Sequence, residues 1–167
     1  MLRVGEGVNV EAYVLYDSTV NSQGLSQRND NQEKNDPAMK NFTMLFQLVQ
    51  QHFHNKGVMV TFEVKSAGQN DTLAVKMGGG ALNATETLKN LIKYATEQSP
   101  RNNSIFYYFS EKELLEKTKE GDKIDVDHDD VGTFGTFCSK DSSAAVVKYY
   151  PQGETRHIST VEATARM

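Results

Sequence analysis

The residue order predicts an α/β domain: a twisted mixed sheet with helices packed against it. Three observations carry that prediction. Strand-like and helix-like patterns alternate along the chain. Two of the helical segments are amphipathic and have clear start signals. Ser104-Ile-Phe-Tyr-Tyr-Phe109 is a continuous apolar run, as expected for a strand covered on both faces. At 167 residues the chain is long enough for one sizeable core and short for two.

Val8 to Tyr16 alternates and is rich in Val and Tyr, which predicts a strand. Asn21 to Asp36 is polar and reads as a surface loop. Asp36 then serves as an N-cap with Pro37 at the first helical position. Phe42, Leu45, Phe46, Val49 and Phe53 make one face of a helix that ends near Gly57. Val58 to Val64 follows as a strand, Ser66 to Asp71 as a turn, and Thr72 to Met77 as a short strand broken by Gly78-Gly-Gly80. Asn83 with Glu86 forms a capping box for a second helix, whose apolar face is Leu88, Leu91, Ile92 and Ala95. Ser110 with Glu113 predicts a short charged helix to about Lys119, and Gly121 to Asp130 an acidic loop. Val131-Gly-Thr-Phe-Gly-Thr-Phe-Cys138 reads as a glycine-spaced edge strand, Ser139 to Ser143 as a turn, and Ala144 to Tyr150 as the return strand. After Pro151 and Gly153, Ser159 to Met167 has a hydroxyl cap and good helix formers, so a helix is expected to run into the core.

The net charge of −4 and the lack of a basic stripe argue against a nucleic-acid partner. No stretch approaches the roughly 20 apolar residues needed to cross a bilayer, so no membrane insertion is expected. The first residues lack the apolar core of a signal peptide. Four sequons, at Asn41, Asn70, Asn83 and Asn102, exceed what the Asn, Ser and Thr content gives by chance. They favour a secreted, extracellular glycoprotein whose signal and pro-segment lie upstream. Cys138 is the only cysteine; on its own a single thiol reads as a buried structural residue.

Other chemistry-bearing residues form no complete motif. The acidic cluster from Asp125 to Asp130 fails as an EF-hand loop, because Asp130 and Thr136 stand where that loop needs glycine and glutamate. His52 and His54 are two apart on a helix and face different ways. Met77-Gly-Gly-Gly80 lacks the Gly-Lys of a phosphate loop, and no Gly-x-Ser-x-Gly elbow occurs. Glu11 is an acid in the middle of an apolar strand, which is costly unless it is paired or bound to a cation.

The succession of edge strand, Gly-x-x-Cys, turn, Val-Val strand, loop and helix between Val131 and Met167 resembles the reprolysin (adamalysin-like) zinc metalloproteases, notably the tick salivary and snake-venom secreted forms. Asn9-Val-Glu-Ala-Tyr-Val-Leu-Tyr-Asp17 is similar to that family's first strand. The resemblance implies that residues 1–167 are one partial catalytic domain, the upper, N-terminal subdomain of a metzincin protease. The helix beginning near Val161 would go on to carry H-E-x-x-H-x-x-G-x-x-H, which holds zinc and supplies a general base. That motif is absent here, so this chain is expected to contain no catalytic group and to be inactive alone. The resemblance further implies that Asp130, Val131, Gly132 and Thr133 align an extended peptide by strand addition. It implies a calcium role for Glu11, although Asn102, Asn103 and Ser104 stand where the family has a second acid. It also implies that Cys138 pairs with a cysteine farther downstream. The expected partners are extracellular protein or peptide substrates.

Two other readings belong to a different class. Tyr16-Asp17-Ser-Thr19-Val-Asn21 is similar to the cation-binding loop of von Willebrand factor A domains, which would make the chain an adhesion module. A catalytically dead protease relative that binds substrates without cleaving them is the third.

Overall fold

The computed structural model describes residues 2–21, 36–117, 123–125 and 129–167, in the mixed α/β class expected. Strands β1 (Asn9–Tyr16), β2 (Thr61–Gln69), β4 (Ser104–Ser110), β7 (Asp130–Gly132) and β8 (Ser143–Lys148) form one sheet in the order β2-β1-β4-β8-β7. The first four run parallel, and β7 lies antiparallel to β8 at the edge. Strands β3 (Leu82–Asn83), β5 (Leu114–Lys117) and β6 (Lys123–Asp125) make a small second sheet.

Helix α1 (Pro37–Asn55) begins as its sequence predicts: Asp36 accepts the Ala38 N–H, and proline fills the first turn. It buries Phe42, Leu45, Phe46 and Val49 on one face of the sheet, where Val10, Ala12, Val14, Ile105, Tyr107 and Phe109 meet them. Helix α3 (Ile158–Arg166) adds Val161 and Ala163 to the same layer. Helix α2 (Ala84–Glu97) covers the other face, packing Leu91 and Ala95 against Phe106, Tyr108, Ala144 and Val146. Strand β4 therefore sends alternate side chains into two cores, and all seven of its residues are buried. That is why its sequence is apolar without a break.

Several sequence expectations shift. Strand β2 starts three residues later than Val58 and runs through the predicted Ser66–Asp71 turn, because its backbone is held in register with β1 as far as Gln69. Thr72 to Met77 is no strand; Asp71–Leu73 is a 3-10 turn and Lys76 makes one bridge to Leu82. The charged helix after Ser110 is absent. There the Ser110 hydroxyl binds Asp17 and receives the Lys112 N–H, and Leu114–Lys117 pairs as β5 with β3. The capping box of α2 is half made: Asn83 accepts the Glu86 N–H, but the Glu86 carboxylate pairs with Lys89. Helix α3 is capped at His157 without a side-chain bond, so Ser159 lies inside its first turn. The predicted loop from Asn21 lies outside the described residues for most of its length, as do residues 126–128 of the acidic cluster, including His128.

Candidate functional site: an antiparallel sheet edge fastened to a helix

The edge of the sheet is built by β7 and the turn that follows it. Its register places Asp130 opposite Val147, Val131 opposite Val146 and Gly132 opposite Ala145. Thr133 continues the ladder by donating its N–H to Ala144 O at 2.9 Å. In an antiparallel pair the main-chain groups alternate in direction. The N–H and C=O of Asp130 and Gly132 therefore point away from β8; Gly132 is partly exposed there, whereas Asp130 is buried. Such a row of outward groups is what a further extended chain pairs with.

The side chains of this strand do different work from its main chain. Asp130 is 3 % exposed and turns inward, where its carboxylate meets the Arg166 guanidinium of α3 as an ion pair. The acidic side chain is thus not presented to a bound peptide. Val131 is half-buried against the α2 layer. A Cβ on Gly132 would lie 3.2 Å from both Ala144 O and Ala145 Cβ, so glycine eases the close approach to β8. Thr133 Oγ1 accepts the Ala144 N–H and pairs with Thr136 Oγ1, closing the turn.

Beyond Thr133 the chain is tied to the end of α3. Gly135, at φ 65°, donates to Arg166 O, and Phe137 donates to Met167 O, each at 2.9 Å. Phe134, just before Gly135, is 83 % exposed. Sequence reasoning missed both Arg166 and Phe134 as members of this site. Arg166 carries no local signal, and an apolar residue in a glycine-rich strand reads as core.

A polar cluster flanks the start of β7. Tyr150 Oη donates to Asp129 Oδ2 at 2.6 Å, and Lys148 Nζ lies 5.3 Å from the Tyr150 ring centre while pairing with Glu113. The bond to Asp129, followed by burial, raises the Tyr150 pKa. Burial works against the Lys148 ammonium, but Glu113, Tyr150 and Asp129 outweigh it and raise its pKa. Tyr150, Asp129, Arg156 and Ser159 line an open recess of about 370 Å³ beside this cluster.

The remaining sequence candidates lie elsewhere. Glu11 is 6 % exposed; Ser104 Oγ is 3.4 Å from Oε2 and Arg101 Nη1 is 3.7 Å from Oε1. One carboxylate beside a guanidinium is the wrong donor set for Ca²⁺, which needs several oxygen ligands. Among the described residues no three His, Cys, Asp or Glu side chains gather as a metal site, so these residues do not fit zinc either. His54 contacts Val60 O, whereas His52 faces the His157 ring at 5.8 Å between centroids, a pairing that spacing alone does not reveal. Cys138 is exposed, at φ 60°, and donates its N–H to Asn102 O. Asp17 is 1 % exposed, with Oδ1 taken by Thr19 and Oδ2 by Ser110. It points inward, not toward a partner's carboxylate. Asn41 and Asn83 are engaged in packing contacts, and Asn70 and Asn102 stand in turns.

Among solved structures, the chain is similar to metalloproteinase-II from Bacteroides fragilis at 11 % sequence identity and a TM-score of 0.42. The match covers 89 % of this chain and 39 % of that one, so the chain spans well under half the length of that protein. No protein-family model and no curated protein matches the chain. Among the described residues no helix is long and apolar enough to cross a membrane.

Proposed function

We propose that this chain is the upper, N-terminal part of a secreted zinc metalloendopeptidase, and that β7 aligns its peptide substrates. The observation that supports this reading best is the sheet edge. It is a short antiparallel strand with the main-chain groups of Gly132 turned away from β8 and partly exposed, beside the exposed Phe134. An extended peptide adding to that edge gains directional hydrogen bonds from the backbone and an apolar contact from Phe134. The Asp130–Arg166 pair and the two bonds from the turn to α3 hold the edge in one place, so alignment needs little reorganisation on binding.

Zinc belongs to this reading only as part of the longer enzyme, with ligands outside this chain. The chain itself contributes alignment and fold, and it is expected to leave peptides uncut. The test has two arms. Sequencing the transcript 3′ of the Met167 codon should reveal H-E-x-x-H-x-x-G-x-x-H, and the longer product should cleave peptides in a chelator-sensitive way. A stop codon at that point would overturn the protease reading. Titrating an extended peptide into the isotopically labelled chain should shift the amide signals of Asp130, Gly132 and Phe134. Shifts confined to other surfaces would overturn the role of β7.

A further inference from the structure

We infer that, of the four Asn-x-Ser/Thr sites, the folded chain carries N-linked glycan on Asn70 and Asn102 and on neither Asn41 nor Asn83. The inference rests on the secreted reading above, since the modification belongs to the secretory route. In the transfer, Asn Nδ2 forms a bond to C1 of the first sugar. The bond from that carbon to the pyrophosphate of a polyisoprenyl-linked oligosaccharide donor breaks. The pyrophosphate leaves and one amide proton is lost. The product needs an Nδ2 that is free of other work and room for a bulky polar chain to run into solvent.

Asn83 lacks the room, and the Nδ2 of Asn41 is not free. Asn83 is 8 % exposed and lies between Leu82 and Ala84, both fully buried. Its Oδ1 caps α2 by accepting the Glu86 N–H at 3.1 Å. A sugar there would have to open the junction between α2 and β3. Asn41 sits within α1, and its Nδ2, the atom that would be modified, donates to the hydroxyl of Tyr149. Tyr149 is 6 % exposed and packs on Phe42 and Phe109. A sugar on Nδ2 would displace that contact at the core. Molecules modified at either position lose packing at that junction or a core contact and should not reach the folded, secreted fraction.

Asn70 and Asn102 combine an unengaged Nδ2 with a place in a turn that is not buried. Asn70 accepts the Thr72 N–H at 3.0 Å and the Thr72 hydroxyl at 2.6 Å through Oδ1, which fixes the side chain in its turn and leaves Nδ2 on the opposite prong. Asn102 is exposed in the turn before β4, with its carbonyl accepting the Cys138 N–H. Among the described residues the Nδ2 of neither donates a hydrogen bond. Asn70 follows β2, at the sheet edge opposite β7, so a glycan there stays clear of the proposed peptide edge.

The test is site mapping on the whole chain, secreted from eukaryotic cells behind a heterologous signal peptide. Enzymatic deglycosylation in ¹⁸O water marks each formerly glycosylated Asn as labelled Asp, which peptide mass mapping reads. The expected result in the folded fraction is label at residues 70 and 102 and none at 41 and 83. Asn70→Gln and Asn102→Gln should each remove the mass of one glycan. Label at 41 or 83 in folded protein, or absence of label at 70 or 102, would overturn the assignment. Native protein free of glycan, alongside recombinant protein labelled at 70 and 102, would count against secretion and not against the choice of sites.

Discussion

Removing one member of the Asp130–Arg166 pair should cost far more than removing the other. The Asp130 side chain is 0 % exposed, while that of Arg166 is 38 % exposed. The carboxylate has Arg166 as its ion-pair partner and no hydrogen bond from any other described group. Arg166→Ala therefore strands a carboxylate in the interior, a loss of about 3–5 kcal/mol. Asp130→Ala removes the buried charge and frees a guanidinium that already reaches water, so its cost falls to about 1–2 kcal/mol. The double variant should lie near Asp130→Ala, because the penalty in Arg166→Ala is the orphaned carboxylate that the second change deletes. Equilibrium urea unfolding of the four proteins, followed by circular dichroism, gives the three differences directly. Against a typical domain stability of about 5–15 kcal/mol, the Arg166→Ala shift is large enough to read without ambiguity. Equal losses in the two single variants, or losses that simply add in the double, would refute the reasoning.

Two further perturbations follow from single residues. Gly135→Ala places a side chain at φ 65° with nothing within 4 Å to clash against, so backbone strain alone should cost about 1–2 kcal/mol; an unchanged unfolding midpoint would contradict this. Burial, then the charges of His52 and Arg156, holds the His157 pKa below its ordinary value of 6.5. The unfolded chain then binds the proton more tightly, so His157 lowers stability as pH falls through 6.5 and toward its folded value. Urea midpoints at pH 7.5 and pH 5.5 should differ more for the native chain than for His157→Gln, and equal differences would rule the effect out.

Much of the fold was legible because its signals are local. The Asp36–Pro37 start of α1 and the Asn83 cap of α2 involve atoms two or three residues apart; the first forms as read and the second in its Asn83 half. The apolar run of β4 likewise reports burial on two faces wherever the strand ends up. Failures occurred where a distant group competed. Ser110 has the spacing of a helix cap, but Asp17, far away in sequence, takes its hydroxyl, and Leu114 pairs with Leu82 instead of starting a helix. Lys65 to Gly68 has weak strand propensity, yet the ladder with β1 holds it extended.

The candidate site divides along the same line. An edge strand near Val131 and the strand that returns beside it were visible as pattern, because sheet edges impose residue types on their own few positions; the edge strand ends at Gly132, however, and residues 133 to 138, expected to continue it, form the turn. Which way Asp130 points, its partner on a helix near residue 166, and the outward exposure of Phe134 were not visible. Nor was the division of the sequons, since Asn41 is taken out of play by Tyr149, 108 residues away. Short-range hydrogen bonds and periodicity are written into neighbouring residues. The solvation of a charge or an amide depends on which distant segments the packed sheet and helices bring against it, and only the tertiary structure decides that.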